Sequence, residues 1–424
     1  MSRSPNVSSP AAAQNGARKN GAKKNGSGQN GADKEGAGFS GPGIPFESVA
    51  LLLQGGGALG AYQAGVYEAM VERKIEPTWV CGISIGAINS AIIAGNPLEH
   101  RVAKLREFWE TVTSGGGTGW NNWWIDLPGG SYMRGLVNQF AAGGVLLQGA
   151  PGFFTPQMPP ATLQPKGSPG ATSWYDTQPL KATLEKLVDF DRINQAKMRF
   201  SVGAVNVRTG NFAYFDTINE KIRVEHVMAS GALPPAFPAV EIDGELYWDG
   251  GMVTNTPLDW VLSNRRDIST LVLQVDLWSA RGEIPADLAE VGTRMKDIQY
   301  SSRTRAATDL FKYRQKLRAA LYTLMQKMPP ELADTPEAKL LRSETGPAAY
   351  NIVQLIYRSA SYESQSKDYE FSRSTMEEHW KAGYSDAHAT LSHRQVLTLP
   401  SHASDVRVFD YLRPPDEHGG RASD

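Results

Sequence analysis

The sequence predicts an α/β protein: a three-layer α/β/α sandwich with a mostly parallel central sheet, a mainly helical C-terminal extension and a disordered N-terminal tail. Three observations carry this. Short, unbroken apolar runs such as VALLLQ and TWVCGIS have the length and composition of strands buried on both faces. Each is followed by a stretch that reads as helix, and strands alternating with helices build parallel sheets. The junctions are rich in glycine, as tight strand-to-helix turns require.

Residues 1–45 read as a tail. Asn-Gly recurs at positions 15, 20, 25 and 30 among Lys, Ala and Gly, with too little apolar content for a core. Order starts near Val49, with VALLLQ as the first strand and Ala61 to Arg73 as the first helix. TWVCGIS and IGAINSAIIAG repeat the pair. RFSVGAVNV and NFAYFDT predict two strands joined by a turn at Arg208-Thr209-Gly210, and TLVLQVDL predicts another strand. The catalytic domain is set at residues 46–280. It carries an insertion over about 114–173, dense in Gly, Pro and aromatics, which is either an ordered plug or a lid using Trp120, Trp123, Trp124, Phe153 and Phe154. From Pro285 to Met328 one or two long amphipathic helices are expected. A strand-like YNIVQLIYRSA and a helix, SRSTMEEHWKAGYSDAHATLS, complete an extension over 281–400, and 401–424 form a second tail.

The chain has 424 residues, 41% of them apolar, with 43 basic and 44 acidic side chains and a net charge of −1. Nothing in that balance favours nucleic acid as a partner. The single cysteine, Cys81, excludes an intrachain disulfide and fits a reducing compartment. No apolar run approaches the roughly 18 residues of a membrane span. MSRSPNVSSP lacks the apolar core of a signal peptide. A cytoplasmic protein is expected, with peripheral membrane contact left open; oligomeric state is not legible. No His/Cys cluster has metal-ligand spacing and no acidic loop resembles a calcium site, so neither metal nor cofactor is expected.

Three motifs carry chemistry. Gly82-Ile83-Ser84-Ile85-Gly86 fits G-x-S-x-G between a strand and a helix, a turn so sharp that glycines must flank it. The turn pushes the Ser84 hydroxyl out at a helix N-terminus, which favours developing negative charge. Gly55-x-Gly57-x-x-Gly60 matches a dinucleotide fingerprint, but the next strand ends on Ser84 rather than on the acid that would hold a ribose. Glycines at that strand tip instead let bare main-chain amides (Gly55, Gly56, Gly57) approach the carbonyl that Ser84 would attack, as an oxyanion hole. Asp249, exposed by the turn at Gly250-Gly251, is the candidate base. None of the seven histidines sits in a recognisable strand-end loop of the core.

These motifs occur in order: QGGGALG (Gln54 to Gly60), GISIG, and ASGALPPAFPAVEIDGELYWDGGMVTNTPL (Ala229 to Leu258). Together they resemble the patatin-like phospholipase family over roughly residues 48–278. The resemblance implies a patatin-like fold and a Ser–Asp dyad without histidine. In this chain Ser84 would be the nucleophile, Asp249 the base, and Gly55, Gly56 and Gly57 the oxyanion hole, supported by Gly60, Gly82, Gly86, Gly250 and Gly251. It also implies a lipid or other acyl ester as substrate. Many family members carry Arg or Lys where this chain has Leu59, which points to a broader acyl-ester hydrolase. The alternatives are a Ser-His-Asp α/β-hydrolase and a catalytically silent scaffold that binds lipid or a partner.

Overall fold

The computed structural model describes residues 44–115, 142–264, 268–346, 348–359, 363, 366–400 and 405–412. All but the last two residues of the N-terminal tail lie outside them, as do Trp120, Trp123 and Trp124 and most of 401–424. In chain order the elements are β1 (Ser48–Leu53), α1 (Ala61–Glu72), β2 (Trp79–Gly82), α2 (Ile85–Ala94), α3 (Leu98–Val112), β3 (Thr155–Pro156), β4 (Tyr175–Asp176), α4 (Gln178–Leu187), α5 (Phe190–Asn194), β5 (Arg199–Asn206) and β6 (Phe212–Asp216). There follow α6 (Val224–Ser230), β7 (Val240–Ile242), β8 (Glu245–Asp249), α7 (Leu258–Ser263), β9 (Thr270–Asp276), α8 (Leu288–Met325), α9 (Pro330–Ala333), α10 (Pro336–Ser343), β10 (Tyr350–Ile356), α11 (Arg373–Leu391) and β11 (Val406–Phe409).

The main sheet runs β11-β10-β9-β1-β2-β5-β8-β7, with β6 also paired to β5. From β11 to β5 all pairings are parallel; β6, β7 and β8 are antiparallel. β1 shows why the fold has three layers. Val49, Leu51 and Leu53 join one apolar core with residues of α1, α2, α3 and α11, while Ala50 and Leu52 join a second with Leu258, Val261 and Phe311 of α7 and α8. An unbroken apolar strand is what a sheet covered on both faces demands.

Residues 38–424 form one compact unit. The segment read as a helical extension adds β10 and β11 to the edge of this sheet, and α11 packs on α1 backbone to backbone. A Cβ on Gly65 would come within 1.9 Å of the Trp380 carbonyl oxygen, and one on Gly383 within 2.0 Å of that of Tyr62. Of the insertion's aromatics, Phe153 and Phe154 are buried in a cluster of edge-on rings with Phe237, Phe371 and Tyr175, where they plug the core.

Candidate active site

Strand pairing alone brings the two predicted residues together. On β5, Ser201 and Val202 pair with β2 on one edge and β6 on the other, and Ala204 and Val205 pair with β6 and β8. β2 and β8 therefore share one edge of β5 and run toward each other along it. Gly82 faces Val202 and Asp249 faces Ala204. The gap between those chain ends is where Ser84 emerges.

Ser84 has φ 55° and ψ −125°, a conformation a non-glycine residue adopts only when its surroundings impose it. Here the glycines do so: a Cβ on Gly82 would lie 2.2 Å from the Gly86 carbonyl oxygen, and one on Gly86 2.1 Å from that of Leu53. The Ser84 N–H donates to Ser230 Oγ at 3.0 Å, and Ser230 in turn donates to the Gly203 carbonyl at 2.7 Å. The strained residue is thus tied to α6 and β5. Its side chain makes no capping bond to α2, and its hydroxyl acts on the Asp249 carboxyl, holding that group's pKa down.

Asp249 is 2% exposed. Its carboxylate accepts from the Gly251 N–H at 2.7 Å. Burial pushes its pKa up to about 7, opposed by the nearby Ser84 hydroxyl and the Gly251 N–H. Among the described residues no histidine bonds to either group. His226 takes the Arg223 N–H on Nδ1 at 2.8 Å, and burial holds its pKa down at about 4; His379 lies 3.3 Å from Glu363.

The glycine loop leaves β1 beside this pair; a Cβ on Gly55 would reach 3.0 Å from that of Ser84. Of the three amides expected to face an oxyanion, that of Gly55 is taken by Asn255 Oδ1 at 3.2 Å. Those of Gly56 and Gly57 have no partner among the described residues. Gly57 has φ 57°. The loop is held from below by Gln54, which accepts from Leu277 and Trp278 N–H, and from above by the Asp368 carbonyl, which accepts from the Ala58 N–H at 2.8 Å. Trp278 Nε1 donates to the Gly55 carbonyl at 2.9 Å. Asp368 is fixed by Lys296 of α8 at 2.7 Å, and Lys367 by Asp297 at 2.7 Å. Leu59 is wholly buried, so core packing occupies the position where a cation was looked for. Gly60 lies against Ile85, joining the loop to α2.

Sequence reasoning missed Ser230, Gln54, Trp278 and Asp368 as supports. Ser230 lies inside the Ala229–Leu258 run and could have been weighed there; Asp368 sits in a stretch with no pattern. Among the described residues no group of three or more His, Cys, Asp or Glu could hold a metal ion.

A family model described as patatin-like phospholipase matches residues 51–262, half of the chain, and a second, described as patatin phospholipase, matches residues 298–403. A patatin-like phospholipase domain-containing protein of Caenorhabditis elegans is 34% identical over 62 residues, which span 15% of this chain and 6% of that relative's length. Among solved structures, VipD from Legionella pneumophila is 15% identical, with 82% of this chain and 66% of that one covered at a TM-score of 0.32. The type III effector protein ExoU is 14% identical, covering 69% and 67% at a TM-score of 0.21.

Proposed function

The chain belongs to the patatin-like phospholipase family, and from that premise we propose that it hydrolyses acyl ester bonds of lipids with Ser84 as nucleophile and Asp249 as base. The observation that carries the reading is the placement of Ser84 in the gap beside the buried carboxylate of Asp249, whose pKa its hydroxyl holds down against burial.

A carboxylate in water is too weak a base for a hydroxyl. Burial raises the Asp249 pKa to about 7, close to working pH, where a general base is most effective. As Asp249 takes the Ser84 proton, Oγ bonds to the ester carbonyl carbon and the carbonyl electrons move onto oxygen. The amides of Gly56 and Gly57 receive that charge, and each well-aimed donor is worth about 3–4 kcal/mol. Gly55, engaged by Asn255, serves as the hinge of the loop. Collapse of the intermediate breaks the ester C–O bond, and Asp249 returns its proton to the leaving alcohol. A water then gives its proton to Asp249 and attacks the acyl-serine. The fatty acid leaves and Ser84 regains its hydrogen.

The test is hydrolysis of a panel of p-nitrophenyl esters and phospholipids by wild type, Ser84→Ala and Asp249→Asn. Both variants should lose turnover, and fluorophosphonate labelling should vanish in Ser84→Ala. Full turnover in either variant, or absence of turnover and labelling in folded wild type, overturns the proposal.

A further inference from the structure

Helix α8 is 38 residues long, about 57 Å at the rise of an α-helix. Its inner face buries Thr308, Phe311, Gln315 and Met325, with Phe311 edge-on to Tyr350 of β10 and Gln315 Nε2 donating to the Ala348 carbonyl at 3.0 Å. Its outer face carries Leu288, Val291, Met295, Ile298, Leu310, Tyr313, Leu317 and Leu324, each more than 40% exposed, from 45% at Leu310 to 88% at Leu288. At about 100° per residue these positions fall in one angular range about 120° wide, four of them over Leu288–Ile298 and four over Leu310–Leu324. Scattered apolar side chains on a surface need no explanation, but an aligned row of eight does.

The charges beside the stripe indicate what covers it. Exposed Lys312 and Lys316 fall on one flank and exposed Arg314 on the other; Asp309, the exposed acid of that half of the helix, falls within the stripe. A second copy laid parallel on the same stripe would set cationic flanks against cationic flanks. An anionic bilayer surface meets both demands at once, with acyl chains under the stripe and headgroups against the flanking cations. No helix among the described residues is long and apolar enough to cross a membrane, so the contact is in the plane of the surface.

We infer that the outer face of α8 is a docking surface for anionic lipid bilayers. The same helix reaches the candidate site. The Tyr300 carbonyl accepts from Gln54 Nε2 at 3.2 Å, and its ring lies 5.1 Å from that of Trp278, which itself bonds the Gly55 carbonyl. Ile298, two residues away on the stripe, faces the opposite side of the helix from Tyr300. The docking itself does not depend on the hydrolase reading, because vesicle binding is measured without turnover.

The experiment is flotation of the full chain with phosphatidylcholine vesicles, with and without phosphatidylglycerol. Wild type should float with the anionic vesicles, weakly with phosphatidylcholine alone, and lose binding as salt rises from about 0.1 M to about 0.5 M. Leu310→Ser/Leu317→Ser/Leu324→Ser should reduce partition about tenfold or more. Lys312→Glu/Arg314→Glu/Lys316→Glu should abolish the preference for anionic lipid. Both should cleave a water-soluble p-nitrophenyl ester at the wild-type rate. Wild type that stays unfloated, variants that float like wild type, or a solution dimer that the triple serine variant dissociates would each overturn the docking surface, the last in favour of a second copy. Vesicle binding by a chain inert on every ester would leave the docking surface standing and remove the hydrolase.

Discussion

Asn255 and Gly55 exchange two hydrogen bonds: the Gly55 N–H donates to Asn255 Oδ1 at 3.2 Å, and Asn255 Nδ2 donates to the Gly55 carbonyl at 3.1 Å. One residue follows the turn that carries Asp249, and the other opens the loop that carries the two free amides. The side-chain amide spans both groups of one peptide residue, so it ties the turn carrying Asp249 to the loop carrying the open amides of Gly56 and Gly57. Removing it leaves each loop intact but uncoupled.

Asn255→Ala should therefore lower kcat on p-nitrophenyl esters about 10- to 100-fold, a loss comparable to one misplaced oxyanion donor, while KM shifts by less than about threefold. Steady-state kinetics beside fluorophosphonate labelling rates check this. A variant with wild-type kcat would mean that Trp278 and Gln54 alone position the loop.

The pH dependence follows from Asp249. Its pKa is raised to about 7, and only the ionised form can take the Ser84 proton. The value of kcat/KM should rise about tenfold per pH unit below that pKa and level off above it. His226 is held near 4, outside that window, and no described histidine touches Ser84, so replacing His226 with Gln should leave the midpoint in place. A midpoint that moves with a histidine substitution would restore the triad as the better reading.

Much of this was legible in the sequence because it rests on local constraints. The unbroken apolar run of β1 specifies a strand covered on both faces, and G-x-S-x-G specifies a turn that only glycine permits. The fate of β10 was not legible. YNIVQLI reads as a strand, but nothing in it says that its partner is β9, some 80 residues earlier in the chain. The same holds at the site: Gly55, Gly56 and Gly57 look alike in sequence, and only the side chain of Asn255, 200 residues away, distinguishes the engaged amide from the two open ones. Leu59 could be seen to depart from the family pattern, but not that it fills the core.

Asp249 and Asp276 offer a matched pair. Both are buried, and burial raises the pKa of each to about 7, but Asp276 bonds Gln274 and Thr256 rather than Ser84. Each native pKa lies above the unfolded value, so the stability each acid contributes is complete below about pH 4 and lost as pH rises through about 7. Asp249→Asn and Asp276→Asn should each stabilise the chain at pH 8, by about 4 kcal/mol at most, and by much less at pH 4. Only Asp249→Asn should abolish ester hydrolysis. Thermal melts at both pH values and one activity assay separate the roles; an inactive but well-folded Asp276→Asn would show that the second acid also serves the reaction.

The Gly57 amide is pinned between its own backbone conformation and the chain above it. A methyl group there would meet the Asp368 carbonyl oxygen at 2.0 Å, at a φ of 57° that costs other residues about 1–2 kcal/mol. Asp368 cannot retreat freely, because Lys296 holds its carboxylate and its carbonyl takes the Ala58 N–H. Gly57→Ala must therefore rotate the loop, moving one of the two open amides off target. The expected result is a folded protein, a few degrees less stable, with kcat down about 100-fold or more. Gly143→Ala is the control: nothing lies within 4 Å of its added methyl, and in a helical stretch the change should stabilise by about 0.5–1 kcal/mol without altering kcat. If Gly57→Ala keeps wild-type kcat while losing stability, the amide of Gly57 is structural and the oxyanion must find its donors elsewhere.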